Sequence, residues 1–131
     1  MVKNILIIVG IVIILFISFK YFIPKEENKR AYHKISALEA KEMMEQGDVI
    51  ILDVRREDEY KGGHIKNSVL VPNETINNMV LKEIPDLDKT ILVYCRSGRR
   101  SKDASMKLVD IGYKNIYDFG GIIDWPYEIE K

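Results

Sequence analysis

The chain has 131 residues, 47% of them hydrophobic, with 20 basic and 20 acidic side chains and a net charge of zero. That length holds one domain of ordinary size and little else. A single cysteine excludes an internal disulfide, a CxxC redox pair and any multi-cysteine metal site.

The first element is Met1–Ile23, MVKNILIIVGIVIILFISFKYFI, where between Ile5 and Phe19 only Gly10 and Ser18 interrupt large apolar residues. No polar face recurs at helical spacing, and a helix that is apolar all round requires lipid or a deep core. The rest of the chain is too small to wrap it. Ile5–Phe19 would span roughly 22 Å, and extension to Ile23 brings this to about 28 Å. Lys20 then snorkels, Tyr21 sits at the interface and Pro24 closes the segment. The sequence therefore predicts a single-pass membrane anchor over residues 1–24. The competing reading is a cleaved signal peptide starting at Lys3, but bulky side chains fill Phe16–Ile23, where a small-x-small cleavage site would lie. Orientation stays open. The short start with one lysine favours the domain outside, whereas Lys20, Lys25, Lys29 and Arg30 favour it inside.

Residues 25–30, KEENKR, lack apolar side chains and read as a solvated linker. The domain proper covers 31–131. Five basic and two acidic residues precede Ala31, leaving 15 against 18 and a net charge of −3. This mildly acidic domain has no general nucleic-acid footprint, so no nucleic-acid partner is expected.

Within the domain, Ser36 and Glu39 form a capping box for a helix that runs to about Gln46 and stops at Gly47. Val49–Val54 is a near-continuous apolar strand, the pattern of a strand covered on both faces. A short helix follows over Arg56–Lys61, ended by Gly62-Gly63, and then a brief strand over Ser68–Val71, stopped at Pro72. Asn73–Ile84 is predicted helical, with Asn73 as its cap. Thr90–Tyr94 is the second strong buried strand. Ser101–Ile111 is a helix ended by Gly112, and Asn115–Phe119 a last strand before Gly120-Gly121. The alternation argues for an α/β domain with a parallel or mostly parallel sheet.

The chemistry concentrates where Thr90–Tyr94 runs into Cys95-Arg96-Ser97-Gly98-Arg99-Arg100-Ser101. A strand–loop–helix unit places the thiol at the carboxyl end of a central strand, where open α/β sheets bind ligands. Gly98 lets the chain curl, and such a loop turns its N–H groups inward as an anion nest capped by a helix N-terminus. Cysteines at helix N-termini beside cations have their pKa lowered from about 8.5 to somewhere between 3.5 and 7.5. Arg96, Arg99 and Arg100 bring three positive charges to this loop. The expected chemistry is attack of Cys95 on a compact anion, through a covalent intermediate.

These residues resemble a family. Cys-Arg-Ser-Gly-x-Arg-Ser is similar to the active-site loop of single-domain rhodanese-like sulfurtransferases. Leu52-Asp53-Val54-Arg55, Glu59-Tyr60, Gly63-His64-Ile65 and Pro72 resemble the motif preceding that family's catalytic strand, and Gly120-Gly121 with Trp125 resembles its C-terminal signature. Asn67-Ser68 departs from the small residues common there, and the apolar N-terminus lies outside the pattern. The resemblance implies a doubly wound α/β fold around a mostly parallel five-stranded sheet. It implies that Cys95 takes a sulfane sulfur from a donor such as thiosulfate and passes it to cyanide or a thiol. The backbone from Arg96 to Arg100, including Ser97 and Gly98, then cradles the persulfide. Arg96, Arg99 and Arg100 orient the anion, and no metal or organic cofactor is implied. The related dual-specificity phosphatases use Cys-(x)5-Arg, whereas the corresponding position here is Ser101, which disfavours phosphate chemistry.

The remaining candidates read as structural support. Arg55 is expected to pair with Glu59, Asp53 to organise loop backbone, and His64 to bond backbone rather than serve as a base for Cys95. Trp125 belongs to the core or to a lid. Besides free sulfurtransferase turnover, the apolar N-terminus motivates a second reading, a membrane-tethered relay or sensing module with a sulfur-accepting protein partner. Phosphatase or arsenate reductase activity is a third.

Overall fold

A computed structural model describes residues 2–22 and 30–131, with the backbone alone for residues 19–22. Helix α1, Val2–Phe22, leaves its described side chains uncovered apart from Gly10, which is half-buried. Among the described residues no helix is long and apolar enough to cross a membrane, so the expected transmembrane span is not met there. The expected end of the anchor at Ile23–Pro24, and the linker 25–30 apart from Arg30, lie outside the described residues.

The domain is a five-stranded sheet in the order β1-β5-β4-β2-β3, every neighbouring pair parallel. The strands are β1 Tyr32–Lys34, β2 Val49–Asp53, β3 Val69–Leu70, β4 Thr90–Cys95 and β5 Asn115–Gly121. The helices are α2 Ala37–Gln46, α3 Glu57–Gly62 and α4 Arg99–Ile111. The Ser36 capping box is present, with the Glu39 amide donating to Ser36 Oγ at 3.1 Å.

Alternation along β4 builds two cores. Ile91, Val93 and Cys95 face one side, with Leu108, Val109 and Tyr113; Leu92 and Tyr94 face the other, with Ala40, Phe119 and Trp125. A sheet covered on both faces explains why the two strongest strands are almost wholly apolar.

Two segments differ from expectation. β1 lies in a stretch, Tyr-His-Lys, without apolar alternation, and is recruited only by pairing with Ile116, Tyr117 and Asp118 of β5. Asn73–Ile84 is not a helix. A single 3-10 turn, Asn73–Thr75, is followed by irregular chain whose Ile76, Leu81 and Ile84 are buried. Their spacing of five and then three residues does not make a helical stripe. The buried Tyr113 hydroxyl satisfies the backbone instead, accepting from the Leu81 amide at 2.9 Å and donating to the Ile84 carbonyl at 2.5 Å. Asn73 gives its side chain to Asp103 and Lys107 of α4 rather than to a cap.

Candidate active site

β4 ends at Cys95 and α4 begins at Arg99, so Arg96, Ser97 and Gly98 alone make the turn. The helix starts two residues before the expected Ser101, because Gly98 at φ 110° turns the chain sharply enough to enter it at once. The Gly98 amide donates to Cys95 Sγ at 3.0 Å. The first-turn amides of α4 have no intrahelical acceptor, and they carry the positive end of its dipole next to the thiol. Cys95 itself is 1% exposed.

The floor under this loop comes from β5. Val93 pairs with Asp118 but Cys95 with Gly121, so β5 carries one extra residue there, a bulge eased by Gly120 at φ 85°. The bulge sets Gly121 against the loop. A Cβ on Gly121 would stand 2.6 Å from Arg96 C and Ser97 Cα, and nearer still to the Arg96 carbonyl oxygen. The Ile123 amide donates to that same carbonyl at 3.2 Å. Gly120-Gly121 thus lets a backbone loop rest directly on a strand.

Beside it lies a residue that the sequence reading missed, Asp118, which is 1% exposed. Its Oδ1 accepts from the Gly120 amide at 3.0 Å and stands 2.8 Å from Ser101 Oγ. Its Oδ2 accepts from Tyr32 at 2.9 Å, and Lys34 Nζ approaches Oδ1 to 3.7 Å. Burial and this carboxylate both push the Tyr32 phenol up. Asp118 ties β1, the bulge and the start of α4 to one point. The only sequence signal is an acid inside an otherwise apolar strand just before two glycines. Ser101 shares its one proton between Asp118 and the Gly98 carbonyl at 3.0 Å, so the position of the phosphatase arginine is buried structure here.

The three arginines separate into two kinds. Arg96 and Arg99, like Ser97, are exposed, and among the described residues neither arginine forms an ion pair. Arg100 is engaged from both guanidinium ends by Glu59 of α3, at 2.7 and 2.9 Å. That hydrogen bond lowers the Glu59 carboxyl from the ordinary 4.5 to about 2. The expected Arg55–Glu59 pair therefore does not form.

Arg55 turns inward instead. Its Nη2 donates to Asp53 Oδ2 and to the Gly63 carbonyl, both at 2.7 Å, and its guanidinium stands 5.6 Å from the centre of the Tyr94 ring. Burial alone would lower the Arg55 guanidinium, but the Asp53 carboxylate outweighs it and the net shift is upward. Asp53 Oδ1 also accepts from the Arg55 amide at 2.9 Å. The Tyr94 hydroxyl donates to Asp53 at 2.6 Å and accepts from the Ile65 amide at 3.1 Å. This buried, fully partnered network fixes the Gly63–Ile65 turn against β4. His64 Nδ1 lies 2.9 Å from the Tyr60 carbonyl, the ring stacks on Tyr60, and its backbone pairs with Glu130. Trp125 is buried beside Phe119.

A cleft of ≈ 390 Å³ opens beside the loop, between Arg96, Glu59 and the apolar Ile122, Ile123 and Ile129. Among the described residues no group of three or more His, Cys, Asp or Glu is placed to hold a metal.

A family model described as a rhodanese-like domain matches residues 36–126. The chain belongs to that family. As a rhodanese-like domain it is similar to curated proteins named tRNA uridine(34) hydroxylase. That of Hamiltonella defensa is 37% identical over 104 residues, 74% of this chain and 29% of the relative. That of Yersinia pestis is 32% identical over 104 residues, 76% of this chain and again 29% of the relative. The chain thus spans less than a third of the length of these relatives. Among solved structures, the rhodanese with anions from E. coli is 28% identical with a TM-score of 0.58, covering 63% of this chain and 96% of that one. The thiosulfate sulfurtransferase from Pseudomonas aeruginosa is 26% identical with a TM-score of 0.67, covering 79% of this chain and 21% of that one.

Proposed function

We propose that this rhodanese-like domain transfers sulfane sulfur through a persulfide on Cys95. The observation that carries the reading is the Gly98 amide on Cys95 Sγ, in a loop seated on Gly121 and bearing the exposed Arg96 and Arg99. With thiosulfate as donor, the Cys95 thiolate attacks the outer sulfur, the sulfur–sulfur bond breaks, and sulfite leaves with the electron pair. The persulfide anion remains in the nest of loop amides. A thiolate or cyanide acceptor then attacks its terminal sulfur, and Cys95 leaves as thiolate. Charge balances at each step, and no metal or cofactor takes part. Arg96 and Arg99 attract the anionic donor, and the cleft beside Arg96 offers the acceptor a route. The test is to incubate the full chain with thiosulfate and weigh it. A one-sulfur mass increase that Cys95→Ser lacks is expected; no adduct with thiosulfate or a persulfide donor overturns the reading.

The uncovered apolar side chains of α1 favour a second component, that the N-terminal helix tethers the domain to a membrane, with the side of the domain open. In that case the domain works as a relay to a sulfur-accepting protein rather than as a freely diffusing enzyme. Carbonate-resistant membrane association that is lost when residues 1–24 are deleted is expected; full extraction of the intact chain refutes the tether. The relatives named as tRNA hydroxylases supply no RNA-binding argument here, because residues 31–131 carry a net charge of −3.

A further inference from the structure

Three arginines stand at the loop, and among the described residues only Arg100 forms an ion pair. Glu59 reaches across from α3 to clamp Arg100 at 2.7 and 2.9 Å, with both side chains partly withdrawn from water, at 15% and 28% exposed. Other charges near the clamp are Arg96 in the loop, Arg99 at the start of α4 within electrostatic reach of Asp103, Arg56 with its Nη2 3.7 Å from Glu59, Glu74 in the 3-10 turn within electrostatic reach of Arg100, and Lys34 beside Asp118. A bidentate clamp holds both planes in one geometry and sets a carboxylate against the Arg100 charge, which lies within electrostatic reach of Cys95. We propose that Glu59 is a specificity-determining positioning residue: by neutralising Arg100 it sets the positive charge the loop shows to incoming donors, and so the preference for a dianion such as thiosulfate over monoanionic or neutral sulfane donors. The proposal rests on the reading of Cys95 as the reacting thiol. Glu59 acts through Arg100, to which it is bonded, rather than through Cys95.

Because Cys95 is the sole cysteine, its local potential is readable without sulfur transfer. Iodoacetate and iodoacetamide both alkylate the thiolate with loss of iodide, one reagent anionic and one neutral. The ratio of their rates cancels the thiolate fraction and reports the field at the sulfur. Glu59→Gln should raise that ratio about twofold to fivefold, the size of one partly screened charge, and lower the KM for thiosulfate by a similar factor with kcat nearly unchanged. Arg100→Gln should move both readouts the other way, and the double variant should return close to the starting protein. A merely structural clamp would move both single variants in the same direction, and that result overturns the proposal, as does a ratio that does not move. If Arg100 contacts the donor directly, the double variant keeps the Arg100→Gln defect, which also overturns it. If Cys95 resists both reagents, the KM pattern decides alone. Rate ratios that behave as expected in a chain that forms no persulfide would leave the charge role standing and remove the sulfurtransferase reading.

Discussion

Replacing Gly121 with alanine adds one methyl group where β5 meets the active-site loop. That carbon would stand 2.6 Å from Arg96 C and Ser97 Cα. Carbon atoms in good contact lie about 3.5–4.0 Å apart, so strand and loop must separate by about 1 Å. Neither side yields cheaply, since the neighbours are backbone atoms and the Ile123 amide also holds the Arg96 carbonyl. Overpacking of this kind costs about 1–3 kcal/mol, which lowers Tm by about 4–8 °C per kcal/mol in a domain of this size. The functional cost is larger. A displacement of about 1 Å at a reacting group costs on the order of a hundredfold in rate, and here it also pulls the Gly98 amide off Cys95 Sγ. Gly62→Ala is the control, because a Cβ there meets nothing within 4 Å; its stability should change by less than about 1 kcal/mol. The assay is single-turnover persulfide formation from thiosulfate, followed by mass spectrometry beside a thermal melt. Gly121→Ala matching the parent protein in both rate and Tm would refute the account of the loop as seated on this glycine.

Glu59 also makes a prediction in acid. Its carboxyl is lowered to about 2 in the folded protein from the ordinary 4.5, so its contribution is complete above the unfolded value and is lost as pH falls through the folded one. Glu59→Gln should therefore flatten the fall of the urea midpoint between about pH 4.5 and pH 2; an unchanged slope refutes the assignment. Tyr94→Phe strands the buried Ile65 amide and takes a donor from Asp53, at a cost of about 1–3 kcal/mol. It should lower Tm while persulfide formation is retained, and a neutral result would show that the Asp53 network does not hold the Gly63–Ile65 turn. Tyr113→Phe removes the hydroxyl that satisfies Leu81 and Ile84, so hydrogen exchange at the Leu81 amide should accelerate sharply; retained protection would mean that another acceptor serves it.

What the sequence by itself determined is local. The two apolar strands, the Ser36 cap and the Cys95–Ser101 loop are legible because each is encoded by contiguous residues with a fixed period or a fixed turn chemistry. The order of motifs along the chain was enough to indicate the family. Tertiary structure decided everything that depends on partners distant in sequence. β1 exists only as a ladder partner of β5, and residues 76–84 leave helical geometry because a tyrosine 29 residues beyond Ile84 takes over their backbone hydrogen bonds. The pairing of charges was likewise invisible. Arg55 and Glu59 lie four positions apart, which suggested a helical pair, but Arg55 precedes α3 and turns into the core, leaving Glu59 to an arginine 41 residues away. Spacing along a helix describes one element, whereas an ion pair forms wherever packing brings two charges together with the best geometry and the least water. The cysteine could be read from the sequence; that Glu59 clamps one of its arginines could not.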